Sequence, residues 1–384
     1  MDIYHQISRK SLEIPSFLVM EVLEKASEME RKGENIIHLE VGEPDFETPK
    51  CIKEACLKAI REGRTKYTHS LGLPELREAI GEHFAQKYHK EISPQQIIIT
   101  MGSSPAMFLL FSALLEKGDE VILTNPYYSC YPNIIRFLGG EVKYVYVQEE
   151  DGFQYQPQQV LDYLTAKTKA ILINSPANPT GSIIPAEVMQ KLANMEHYII
   201  SDETYHGLVY EAQEHSILEF TDKAFVIGSF SKQYAMTGWR LGYLIVPHEF
   251  VRPIQKIQQN FFISANAFVQ WAGIAALKEA QADLQQMRKV YNKRRKFIIS
   301  QLREMGFGLK FEPQGAFYVL ANAKVFTNDS RTFAFDILER AKVAVTPGID
   351  FGDNAEGYIR FSYANSLKNI QEGMDRLKEY LSKL

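Results

Sequence analysis

Short runs of aliphatic and β-branched residues alternate along the chain with longer stretches whose apolar positions recur every three or four residues. The first pattern predicts buried strands, the second amphipathic helices. Seven short runs stand out: Ile97–Thr100, Glu120–Thr124, Glu141–Tyr146, Ala170–Asn174, Tyr198–Ser201, Ala224–Gly228 and Leu241–Val246. Helical patterns separate most of them, over Ala106–Leu115, Tyr131–Leu138, Gln158–Leu164 and Pro185–Met195. Ala106–Leu115 is apolar all round, which predicts a buried helix. Alternation of this kind predicts an α/β fold, a mostly parallel seven-stranded sheet flanked by helices. The link between the last two runs is too short for a crossover helix, so Leu241–Val246 is predicted to return antiparallel.

The flanks read differently. Phe17–Arg31 has helical spacing, with Leu18, Val22, Ala26 and Met29 on one side, and Cys51–Glu62 is a second helix. Ile36–Val41 is a short strand that runs into the turn-rich octet Gly42–Pro49. Beyond the sheet, helices are predicted at Ala267–Glu279, Ala282–Met305, Arg331–Arg340 and Leu367–Leu384. Leu309–Glu312 and Ala316–Leu320 read as an antiparallel pair, with Val343–Val345 and Tyr358–Ser362 as further strands. This describes a smaller α+β domain completed by the N-terminal segment, with divisions at 1–46, 47–285 and 286–384. The cluster Arg288, Lys289, Lys293, Arg294, Arg295 and Lys296 reads as a solvated helix face.

Composition narrows the classes. A chain of 384 residues exceeds one ordinary core. A formal net charge of −4 leaves no footprint for nucleic acid. Cys51, Cys56 and Cys130 make no disulfide framework and lack zinc spacing, so no metal is expected. Met1–Gln6 has no apolar signal core, and no run reaches the roughly 20 apolar residues that span a bilayer. A cytoplasmic, reducing compartment is expected.

The predicted strand ends collect the candidate chemistry, where α/β folds place ligands. Tyr127 and Tyr128 follow Thr124, Asn178 follows Asn174, and Asp202 and Tyr205 follow Ser201. Ser229, Ser231 and Lys232 follow Gly228, and the antiparallel return brings Arg240 to the same edge. Gly102, Ser103, Ser104 and Pro105 open the helix after Thr100. Unpaired N–H groups there form an anion site, although serine is equally an N-cap residue. The Gly-Lys-Ser/Thr of a P-loop is missing. One lysine, one arginine and several serines suit a phosphate-bearing aldehyde.

Ser229-Phe230-Ser231-Lys232 followed by Gly238-Trp239-Arg240-Leu241-Gly242 resembles the cofactor-lysine segment of the class I/II aminotransferases. These are fold-type I enzymes of pyridoxal 5'-phosphate, and the likeness is to their aspartate/aromatic group. Asn178-Pro179-Thr180-Gly181, Asp202-x-x-Tyr205 and the octet Gly42–Pro49 extend it from about Pro15 to nearly the end of the chain. The resemblance implies transfer of the amino group of an α-amino acid to a 2-oxo acid, such as 2-oxoglutarate, through a Schiff base on Lys232. The implied donor is aspartate, aromatic or broad in range. Asp202 is expected to face the pyridine nitrogen, and Tyr205 and Asn178 to hydrogen bond the cofactor's 3'-oxygen. Tyr128, rather than Tyr127, is expected to stack on the ring. Ser103, Ser104, Ser229, Ser231 and Arg240 are expected to hold the phosphate. Arg360 is expected to fork the substrate carboxylate, with Gly42 on a closing loop and Asn178 beside it. A homodimer is implied, with Tyr67 reaching the phosphate in the partner's site.

Plainer roles stand beside these. Lys232 could instead be a solvated turn lysine, the Gly42 loop a hinge, and Tyr67 a packing aromatic as well. Asp202 could cap a strand end, and Asn178 could be a turn residue before proline. Arg360 could sit in a buried ion pair, since burying it unpaired is costly. A lyase, decarboxylase or racemase of the same fold is the competing enzyme. Carbon–sulfur lyases are expected to place an aromatic soon after the Asn-Pro-x-Gly turn, where Ser182-Ile183-Ile184 stands here. A ligand-sensing domain of a transcription regulator is expected to follow a DNA-binding module, and only about 16 residues precede the first matched segment. No second cation for a distal carboxylate is identifiable, and Phe17, Tyr127 and Phe262 leave an aromatic range open.

Overall fold

A computed structural model describes residues 7–384, so the expectation for Met1–Gln6 lies outside the described residues. β1 (Ile37–His38) belongs to the smaller part of the molecule. The seven apolar runs form one sheet from β2 (Ile97–Thr100), β3 (Glu120–Asn125), β4 (Glu141–Tyr146), β5 (Thr168–Asn174), β6 (Tyr198–Asp202), β7 (Ala224–Ser229) and β8 (Gly242–Ile245). Their order is β2-β8-β7-β6-β5-β3-β4. β8 is antiparallel to both neighbours, and the remaining pairs are parallel.

Successive side chains of a strand point to opposite faces. Ile98, Leu123, Leu172, Ile200, Phe225 and Leu244 therefore pack on one side, with Leu110 and Phe111 of the helix Ser103–Leu114. Ile97, Ile99, Ile122, Ile171, Ile199 and Val226 pack on the other. Both faces of the inner strands are covered, so they read as nearly unbroken apolar runs, whereas the edge strand β4 is mostly half-buried or exposed. Each fully buried aliphatic side chain contributes about 1.5–3 kcal/mol of transfer free energy.

The smaller part holds β9 (Tyr318–Asn322), β10 (Val343–Ala344), β11 (Thr346–Pro347) and β12 (Tyr358–Ser362). β12 lies between β11 and β9, antiparallel to both. β1 pairs parallel with β10, so the N-terminal segment joins this part of the molecule. Among the described residues, no helix is long and apolar enough to cross a membrane.

Four expectations change. Leu309–Glu312 is not a strand; Pro313 has no N–H to donate, and Ala316 has φ 56°, which breaks the extended run. β9 starts after it and pairs with β12 instead. The helix expected at Arg331–Arg340 is α-helical only over Ser330–Asp336 and closes as a π turn, Ile337–Ala341. Val19, not Leu18, joins Val22, Ala26 and Met29 on the buried side of the helix Leu18–Arg31. The basic cluster is not wholly solvated, because Arg294 and Arg295 are buried. Arg294 forks Asp45 at 2.6 and 2.8 Å, and Arg295 pairs with Glu211 at 2.7 Å. Periodicity did not separate these two from their exposed neighbours, since their partners lie far away in the chain.

Candidate active site

The carboxyl ends of β3, β5, β6 and β7 face a cleft of about 240 Å³. Strand order reverses between β3 and β5, the usual place for a ligand in such sheets. Gly42, Ser103, Ser104, Tyr128, Asn178, Asp202, Tyr205, Ser231, Lys232, Arg240 and Arg360 all line it. Ser229 and Tyr67 do not. The Ser229 hydroxyl accepts the Ser231 amide at 3.1 Å and braces the turn that carries Lys232. Tyr67 is 82% exposed and stands apart from this cleft.

Lys232 is half-buried and donates to the Gly42 carbonyl at 2.6 Å. Burial holds its pKa down at about 8; Glu43 opposes this, and Arg360 and Arg240 add to it. An amine close to neutral is what covalent or acid–base work requires of a lysine. Asp202 is buried at the end of β6. One of its oxygens accepts from the Thr204 amide at 3.0 Å, the other from the Tyr131 hydroxyl at 2.7 Å. Burial raises its pKa and these donors oppose the rise. A strand-end cap accounts for the Thr204 contact but not for an oxygen held on Tyr131 within the cleft. Burial also lifts the phenol of Tyr205 well above its usual range, so it stays a hydroxyl, and it bonds the Tyr318 hydroxyl at 2.8 Å.

Arg360 is 3% exposed in the middle of β12. Its Nη1 donates to Asn178 Oδ1 at 2.8 Å, and its Nη2 to the Glu40 carbonyl at 2.5 Å and Thr346 Oγ1 at 3.1 Å. None of these is a carboxylate, and Nε has no partner among the described residues. The expected alternative, a buried ion pair, is therefore not what holds Arg360. The backbone at Asn178 is anchored in turn, its N–H donating to Asn174 Oδ1 at 2.8 Å.

At the other end, Gly102 with φ 99° precedes the helix Ser103–Leu114, whose start has no side-chain cap. The serines are thus the first helical residues rather than caps. A Cβ on Gly102 would come within 2.5 Å of Arg240 Nη2. Arginine, helix N-terminus and the hydroxyls of Ser103, Ser104 and Ser231 converge on one spot, a ready anion cradle. Between the two ends, Tyr128 faces the cleft with Phe17 and Tyr131 edge-on against it. Tyr127 stacks on Tyr144 instead, at 5.1 Å.

The sequence profile of the aminotransferases of class I and II matches residues 34–377. The chain belongs to that family. It is 44% identical to the (5-formylfuran-3-yl)methyl phosphate transaminase of Methanocaldococcus jannaschii, over 98% of this chain and 100% of that one. It is 37% identical to the aspartate/prephenate aminotransferase of Thermus thermophilus, over 98% and 99%. The solved aspartate aminotransferase from Thermus thermophilus with maleate superposes with a TM-score of 0.93 at 37% identity, covering 97% of this chain and 99% of that one. The protein is thus a transaminase that works with pyridoxal phosphate. The residues present fit that cofactor: an uncapped helix start with Arg240 suits a phosphate, and the buried carboxylate of Asp202, partnered by no cation among the described residues, suits a protonated ring nitrogen.

Five polar residues of this aminotransferase's cleft were not singled out from sequence: Tyr131, Asn174, Thr204, Thr237 and Tyr318. Asn174 ends β5 as Asp202 ends β6, so its position carried a signal. Tyr131 and Tyr318 lie within predicted elements rather than at strand ends, so their position in the sequence carries no signal.

Proposed function

We propose that Lys232 holds the cofactor and moves the proton at the substrate Cα, and that the preferred donors carry aromatic or other apolar side chains. When bound, pyridoxal phosphate supplies an electron-withdrawing ring that stabilises negative charge at Cα. Around it, Asp202 would hold a proton on the ring nitrogen and Tyr205 with Asn178 would hydrogen bond the 3'-oxygen. Tyr128 covers one face, and Ser103, Ser104, Ser231 and Arg240 bind the phosphate, with Ser229 acting through the turn it braces. Arg360 orients the α-carboxylate, and the loop from Gly42 excludes water as it closes. Residues 47–285 form the cofactor-binding domain on this reading, and 286–384 with the segment up to 46 form the smaller one.

One observation supports the donor range. Among the described lining residues, the cations are Lys232, Arg240 and Arg360, each with a task already, while Phe17, Val19 and Met20 make an apolar wall. The acceptor is a 2-oxo acid, with 2-oxoglutarate the first to test. A dicarboxylate donor is the second reading, favoured by the names of the Thermus relative and its maleate complex. The enzyme is proposed to be a cytoplasmic homodimer. Tyr67, Phe261 and Ile263 are exposed in the single chain, and the three cysteines are free.

A panel of donors with 2-oxoglutarate tests this. Phenylalanine and tyrosine should exceed aspartate in kcat/KM by at least about tenfold, the worth of one well-fitted apolar contact. A preference for aspartate would overturn the donor assignment. Borohydride should fix the cofactor to Lys232, and label on another lysine would overturn the attachment site.

A further inference from the structure

The guanidinium of Arg360 is held by more than hydrogen bonds. Its Nη atoms are tied to Asn178, Glu40 and Thr346, which set its position within its own plane. Two rings set the plane itself. The Tyr318 ring lies 4.3 Å from the guanidinium carbon and the Phe351 ring 4.7 Å. Such stacking is favourable when desolvated, and both rings are buried. The register explains the approach: Tyr318 stands opposite Ser362, two residues along β12 from Arg360, so the two side chains are diagonal neighbours on one face. The hydroxyl of the same tyrosine bonds Tyr205 at 2.8 Å.

We propose that Tyr318 is a positioning residue with two separable parts: its ring fixes the plane of Arg360, and its hydroxyl fixes the phenol of Tyr205. The ring's part rests on the reading of Arg360 as the carboxylate fork. Substrate capture and ring tuning thereby share one side chain. The charged and titratable groups facing Tyr318 are Arg360, Tyr205, Tyr128, Tyr291 and Tyr363, and those facing Tyr205 are Tyr318, Arg360, Tyr128 and Tyr131. All but Arg360 are phenols, and the Tyr318 hydroxyl bonds only Tyr205 among the described residues, so removing it acts first on that phenol.

The test uses the holoenzyme and 3-phenylpropionate, a carboxylate with no amino group, with binding measured by calorimetry. Tyr318→Leu, which deletes the ring, should weaken binding roughly three- to thirtyfold. Tyr318→Met serves in its place if the leucine variant does not fold. Tyr318→Phe should bind within about twofold of wild type, yet move the pH midpoint of the visible absorbance by about half a unit or more, as expected for a lost buried hydrogen bond. Wild-type binding in the ring-deleted variant would overturn the ring's role. An unmoved midpoint in Tyr318→Phe would overturn the hydroxyl's role. Equal weakening by Phe and Leu would overturn the division between them. Arg360→Lys separates this from the parent reading: if it binds the probe like wild type, the carboxylate fork itself falls.

Discussion

A guanidinium buried as deeply as that of Arg360 is costly unless something answers its charge. Here carbonyl, amide and hydroxyl oxygens answer it in part, and a substrate carboxylate would complete the set. Arg360→Lys keeps the charge and loses the fork. A charge-assisted hydrogen bond is worth roughly 1.5–3 kcal/mol, so kcat/KM should fall about ten- to a hundredfold. The loss should be alike for aspartate and phenylalanine, because they share the α-carboxylate and differ only beyond Cα. A loss confined to aspartate would place Arg360 at the side chain instead. Lys232 gives a prediction in pH. With a pKa of about 8, half its amines are neutral at that pH, and about a tenth at pH 7. Covalent capture of pyridoxal phosphate by the cofactor-free protein should therefore speed up about tenfold per pH unit below 8 and level off above it. Stopped-flow absorbance reads this directly, and a flat profile between pH 6 and 8 would contradict the depressed value. The same shift has a stability sign. The native lysine lies below its unfolded value of 10.5, so the unfolded chain binds more protons between about 8 and 10.5, and this group's contribution to stability rises with pH across that window.

The loop from Gly42 to Pro49 shows what a sequence reveals about an element and what it hides. Its turn-rich composition and its place after a short strand are plain in the chain. The reason for glycine at 42 is not, because its φ is ordinary and the need is space: a Cβ there would lie 1.7 Å from the Tyr318 hydroxyl, which belongs to a distant strand. Gly42→Ala should therefore cost about 1–3 kcal/mol as the loop or the tyrosine gives way. Chemical denaturation measures it, and a change below about 0.5 kcal/mol would show that the loop yields freely. The central strands were legible for the opposite reason. β3, β5, β6 and β7 are covered on both faces, so each is a nearly continuous apolar run that ends where polar residues begin, with Asp202 at the end of β6 and Asn178 and Lys232 shortly after β5 and β7. Leu309–Glu312 has a similar local pattern, but Pro313 and the left-handed Ala316 stop it from pairing. Tyr318 was illegible because its hydroxyl partner, Tyr205, lies 113 residues away, and a tyrosine in an apolar run looks the same whether its hydroxyl is used or not.

Tyr67 tests the molecule as an assembly. In the single chain it is 82% exposed and outside the cleft, a poor place for a large aromatic ring that does nothing. If it serves the site of a second copy, then a chain lacking Lys232 and a chain lacking Tyr67 carry complementary defects. Lys232→Ala alone should lose at least about 10²–10⁴-fold in turnover, the usual worth of a general acid–base group. Tyr67→Ala alone should weaken cofactor binding. When the two are unfolded together at equal amounts and refolded, half the dimers should be mixed. In each mixed dimer one site has neither residue, while the other has its own Lys232 and the partner's intact tyrosine. About a quarter of all sites should then be restored, and activity should return to about a quarter of wild type when cofactor is limiting, as two-fold symmetry requires. Chains that never exchanged provide the control. A mixture no more active than the average of its parents would place Tyr67 in its own chain's structure, and would leave the dimer resting on the exposed apolar residues alone.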